Sequence, residues 1–123
     1  MSRAAGNTKS NTMEIDSGSM HNVTLVEQWE QILKKYPLVI AKVGATWCPP
    51  CTKIKPFFVA LARQYTSSKC AFISFDYSND IHKAIVDRWK WSLGETIPAF
   101  FIHTKTNTRQ VTWEQLQTYL KSL

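Results

Sequence analysis

The chain has 123 residues, a formal net charge of +6, 44% apolar and 20% charged residues, which suits one globular domain built round one core. No apolar run approaches the roughly 20 residues that a membrane span needs, and no basic start, apolar stretch and small-residue cleavage site marks a secretory signal. Three cysteines cannot close a disulfide framework, and an odd count argues against a secreted scaffold. A cysteine pair in a cysteine-poor chain fits a reducing compartment inside the cell, with the cytoplasm the first choice and the mitochondrion the alternative. The Lys and Arg residues are scattered, so the positive charge reads first as a solvated surface and second as attraction to acidic proteins. Neither nucleic acid nor a membrane is an expected partner.

Residues 1–20 are rich in Ser, Thr, Asn and Gly without apolar periodicity and read as a disordered tail before a domain spanning 21–123. Arg3 and Lys9 leave a transit peptide open, and Glu14 and Asp16 count against it. Asn22-Val23 forms a short strand. Thr24 and Glu27 stand at capping-box spacing and open a helix carrying Leu25, Trp29, Ile32 and Leu33, which Pro37 ends. Leu38 to Gly44 is a nearly continuous apolar, β-branched run and predicts a buried central strand with a parallel neighbour.

That strand delivers the chain to Ala45-Thr46-Trp47-Cys48-Pro49-Pro50-Cys51. A cysteine in the first turn of a helix faces unpaired N–H groups and the positive end of the helix dipole. Both favour thiolate at Cys48, and a thiolate is the species that attacks a disulfide. Cys51 follows one turn later on the same face, more shielded, and can attack the mixed disulfide that Cys48 forms. Pro49 and Pro50 are compatible with a first turn and stiffen the loop.

The helix runs to about Ser67 with Ile54, Phe57, Phe58, Leu61 and Tyr65 on its apolar face and Pro56 inside it, where a kink is expected. Cys70 to Phe75 is a second buried strand, with Cys70 a buried hydrophobe. Asp76 to Asp80 is a turn. The next helix carries Ile81, Ala84, Ile85 and Trp89, and Trp91 to Thr96 is a loop. Ile97-Pro98 opens a third strand, Ala99 to His103. Arg109 to Val111 is an edge strand, and Thr112 and Gln115 start a last helix with Leu116, Tyr119, Leu120 and Leu123 on its apolar side.

The order β-α-β-α-β-α-β-β-α predicts an α/β domain, a central mixed sheet with helices on both faces. Chemistry in such a sheet gathers at the C-terminal ends of central strands, where the cysteine pair lies. The segment Ala45 to Cys51, the following Lys55-Pro56-Phe57-Phe58, and Thr96-Ile97-Pro98 together resemble the thioredoxin family. The resemblance covers roughly residues 22 to 123 and implies the thioredoxin fold and a dithiol–disulfide oxidoreductase that reduces protein disulfides. It makes Cys48 the attacking and Cys51 the resolving cysteine, and Pro98 a cis-proline packed on the cysteine loop. Ile97 would pair with a substrate backbone by strand addition. Trp47, Ile97 and Trp91 would form the apolar contact surface, whereas Trp89 and Trp113 read as core. An electron donor, a reductase or a low-molecular-weight dithiol, is implied, and no cofactor. Metal is not expected, because His21, His82 and His103 are dispersed and no second pair completes four ligands.

Three features depart from the thioredoxin pattern. Pro49-Pro50 replaces the familiar Gly-Pro and resembles trypanosome tryparedoxins and nucleoredoxin, whose extra segments this sequence lacks. Lys42 stands where thioredoxins usually have a buried aspartate. It either stabilises a nearby thiolate, accepts a proton as a neutral amine, or pairs with Asp76 or Glu95. Val111-Thr112 lacks the glycine usual there, and the loop before Pro98 is longer, which together imply a changed partner surface. A thiol oxidant or isomerase, and a non-catalytic binding module with the same fold, are the rival readings.

Overall fold

Leu38–Gly44 pairs along its whole length with a parallel neighbour on one side and from Leu38 to Val43 with an antiparallel one on the other, and the sheet is laid outward from it. The computed structural model describes residues 15–16, 20–77, 79–91 and 96–123. In chain order these form β1 (Ile15–Asp16), β2 (Met20–Val23), α1 (Val26–Lys35), β3 (Leu38–Gly44), α2 (Pro49–Tyr65), β4 (Cys70–Asp76), α3 (Asn79–Trp89), β5 (Ala99–Thr104), β6 (Thr108–Val111) and α4 (Trp113–Lys121). The sheet order is β1-β2-β4-β3-β5-β6. β2, β4 and β3 run parallel, whereas β5 runs antiparallel to β3 and β6 antiparallel to β5. The thioredoxin fold expected from the sequence is the fold observed. β1 lies inside the segment read as a tail; the rest of residues 1–19 lies outside the described residues.

Alternation along β3 sends its side chains to two separate cores. Val39, Ala41 and Val43 join Ala71, Ile73 and Phe75 of β4 on the face covered by α1 and α3, where Trp29, Ile32, Ile81, Ile85 and Trp89 pack. Ile40 joins Phe72 and Ile102 on the opposite face, under Phe58, Ala62, Leu116 and Leu120 of α2 and α4. Lys42 belongs by the same alternation to this second face and is 5% exposed.

Local signals held with small displacements. The N-cap of α1 is Leu25 rather than Thr24, and the reciprocating acceptor is Gln28, whose Oε1 receives the N–H groups of Thr24 and Leu25 at 3.1 Å each. Glu27 instead lies in the first turn, where its charge meets the helix dipole. Thr112 caps α4 as predicted, its Oγ1 accepting the Gln115 N–H at 3.1 Å and the Gln115 side chain accepting the Thr112 N–H at 2.9 Å. α2 continues through Pro56 and ends at Tyr65. Phe57 is 62% exposed, contrary to its expected place in the apolar face. At about 100° per residue, Phe58, Val59 and Ala62 take the buried stripe, and Phe57 falls beyond its edge.

Candidate active site

The end of β3 and the start of α2 place the two sulfurs. Cys48 is the N-cap of α2, with extended backbone, and Pro49 and Pro50 occupy the first helical positions, whose N–H groups no helix needs. Cys48 and Cys51 form a disulfide with Cα atoms 5.3 Å apart, within the ordinary span of such a bridge. The Cys51 N–H donates to Cys48 Sγ at 3.2 Å. Thr52 closes the turn, donating from its N–H at 3.1 Å and its hydroxyl at 3.3 Å to the Cys48 carbonyl. One backbone donor is therefore aimed at the leading sulfur before any substrate arrives. Opening the bridge would put negative charge where a cap normally sits, beside the positive helix end.

The second half of the site comes from far along the chain. The Ile97–Pro98 peptide bond is cis, as the resemblance implies. The Ile97 carbonyl oxygen lies 3.9 Å from Cys48 Sγ. Trp47, Pro49 and Pro50 are exposed around the bridge, Trp47 by 69%, while Cys48 is 5% and Cys51 3% exposed. The Trp47 ring edge meets Tyr77, with centroids 6.0 Å apart, and the Tyr77 N–H donates to the Gly44 carbonyl at 2.9 Å. The sequence reading passed over Tyr77; its position just after the second buried strand was the available signal.

Trp91 departs from expectation. It is 3% exposed, packs with the core under α3, and its ring lies edge-on to His82 with centroids 5.3 Å apart. Burial removes it from the contact surface proposed for it. Trp89 is core, as expected, in contact with Trp29, Phe75 and Phe101.

Behind the bridge lies a cavity of about 250 Å³ that Lys42, Gly44, Thr46, Cys51, Thr52 and Lys55 line. The Lys42 Nζ sits over the Phe58 ring, 5.7 Å from its centroid. Of the two partners expected for Lys42, Glu95 lies outside the described residues, and Asp76 is described by its backbone alone. Burial pushes the Cys70 thiol up to about 11, so this third sulfur stays protonated near neutrality. Burial likewise lowers His103, and burial together with Lys35 lowers His21. Among the described residues no group of three or more His, Cys, Asp or Glu could hold a metal ion, and no helix is long and apolar enough to cross a membrane.

Comparison with known proteins agrees with this geometry. The Thioredoxin family model matches residues 20–120. A thioredoxin H-type protein of Populus jackii is 29% identical over 94 residues, 73% of this chain and 63% of its own length. Thioredoxin H9 of Arabidopsis thaliana is 28% identical over the same shares. The chain thus spans under two thirds of these relatives. The crystal structure of a poplar thioredoxin h superposes with a TM-score of 0.64 at 23% identity, covering 85% of this chain and 96% of that one. With the sulfur pair capping α2 and the family match running from β2 to α4, the chain belongs to the thioredoxin family.

Proposed function

We propose that the protein is a thiol–disulfide oxidoreductase that reduces protein disulfides by cycling Cys48 and Cys51 between dithiol and disulfide. The carrying observation is the Cys48–Cys51 bridge at the start of α2, with the Cys51 N–H already donating to Cys48 Sγ. In the reduced protein the Cys48 thiolate attacks a substrate disulfide. A Cys48–substrate bond forms, the substrate S–S bond breaks, and one substrate sulfur leaves as a thiolate. Cys51, as its thiolate, then attacks Cys48; the internal bond forms, the Cys48–substrate bond breaks, and the second substrate sulfur leaves as a thiolate that takes a proton from solvent. Two electrons have passed from the pair to the substrate, and an external donor, either a reductase or a low-molecular-weight dithiol, restores the dithiol. Recognition is by strand addition at Ile97 and Pro98, with exposed Trp47 giving apolar contact and Pro49 and Pro50 stiffening the loop. The Ile97 carbonyl beside Cys48 supports this placement.

The Pro49-Pro50 pair supports a likeness to tryparedoxins and nucleoredoxin within the family. The working domain covers residues 21–123, and Ile15–Asp16 and Met20 pair into its sheet. Cysteine usage supports an intracellular location, the cytoplasm before the mitochondrion. An insulin-type disulfide reduction assay with dithiothreitol tests the proposal. Wild type should turn over and Cys48→Ser should not, whereas Cys51→Ser should accumulate a mixed disulfide seen by mass. Equal turnover by Cys48→Ser would refute the cycle, and wild-type turnover no faster than dithiothreitol alone would leave the binding-module reading.

A further inference from the structure

Resting on the redox cycle proposed above, we infer that Lys42 is a positioning residue that holds negative charge on Cys51 when the bridge is open, acting across a space that Gly44 leaves empty. A Cβ on Gly44 would lie 3.7 Å from Lys42 Nζ, 3.4 Å from Cys51 Sγ and 3.3 Å from Cys51 Cβ. The ammonium and the resolving sulfur therefore border one point that no side chain fills. Both also line the cavity behind the bridge, where Thr46, Thr52 and Ser74 supply polar groups that water can bridge. The Phe58 ring under Lys42 Nζ holds the ammonium in this orientation.

The need for such a group follows from burial. Cys70, 4% exposed, is pushed up to about 11 by burial alone. Cys51 is 3% exposed, so burial also opposes charge on its sulfur once the bridge is open. An opposite charge across the cavity offsets that penalty and leaves Cys51 able to attack Cys48 without first surrendering a proton in the closed complex. Cys51 leaves the opened bridge as a thiolate, and the ammonium keeps that sulfur from taking up a proton. Charge held on Cys51 favours the dithiol side, so the couple moves in the oxidising direction. Among the described residues, Lys55 also lines this cavity, from an exposed position on α2.

The test is the reduction potential of the full chain, equilibrated against a glutathione couple. Lys42→Met should lose about tenfold in the equilibrium constant for the dithiol, or about 30 mV towards the reducing side. Lys42→Arg, which keeps a cation, should recover most of that loss. Lys53→Met removes an exposed charge from α2, the helix that carries Cys51, and should change it less than about twofold. A Lys42→Met potential within about twofold of wild type would overturn the inference. So would an equal shift from Lys53→Met. Should Lys42→Met not fold, the reduced Cys48→Ser chain carries the test with Lys42 intact. Ultraviolet thiolate absorbance should then show Cys51 ionising at lower pH than Cys70, and simultaneous or later ionisation would overturn the idea. Neither measurement needs substrate turnover. A chain that reduces no disulfide yet shows the Lys42 shift would refute the proposed function and leave this inference standing.

Discussion

Cys70 offers a stability measurement whose sign and size come straight from its surroundings. The thiol is 4% exposed at the start of β4, on the face packed under α2 and α4. Its pKa rises from 9.0 to about 11, with burial the cause. A folded-state value above the unfolded one means that the native state binds the proton more tightly. The associated stability is complete below pH 9 and is lost as pH climbs towards 11 and beyond. Two units correspond to about 2.7 kcal/mol in full, of which about 2 kcal/mol is gone by pH 11. Cys70→Val keeps the apolar volume and removes the titration, at a neutral-pH cost under about 1.5 kcal/mol. Urea unfolding of both oxidised chains, with the Cys48–Cys51 bridge closed, leaves Cys70 as the one titrating thiol. Lysines and tyrosines titrate in both chains, so the difference between them isolates the sulfur. Wild type should lose about 2 kcal/mol more than Cys70→Val between pH 7 and 11. Parallel pH dependences, within about 0.5 kcal/mol, would refute the assignment of Cys70 to a dry interior.

Two further outcomes test the site's apolar rim and the fold's last helix. Trp47→Ala removes a ring that is 69% exposed and touches Tyr77 by its edge, so it should shift stability by about 1 kcal/mol or less. If Trp47 contacts substrate, the same variant should raise KM for a protein disulfide several-fold, and an unchanged KM would remove Trp47 from the contact surface. Thr112→Ala removes the acceptor for the Gln115 N–H and should cost about 1 kcal/mol, read as a lower Tm without change in the reduction potential.

The local vocabulary of this chain was legible without coordinates. Apolar, β-branched Leu38 to Gly44 could hardly be anything but a strand buried on both sides, and Thr112 with Gln115 announced a helix start. Errors arose where adjacent residues compete for one stripe. Phe57 and Phe58 are chemically equivalent in the sequence, and only the rotation of α2 against β3 and β4 turns one into the core and the other outward. Trp91 looked like rim because it follows a helix end, yet packing beside His82 buries it.

The sequence by itself determined that two sulfurs sit a helical turn apart at a helix start, because capping, proline tolerance and backbone donors act over a few residues. It could not set Ile97 beside Cys48, 49 positions away, or bring Lys42 and Cys51 to the edges of one cavity. Those meetings depend on strand register and on how α2 settles over the sheet. Side-chain alternation along β3 sends Lys42 and Gly44 to the same face, and only the depth of the helix above them makes Lys42 and Cys51 border one cavity.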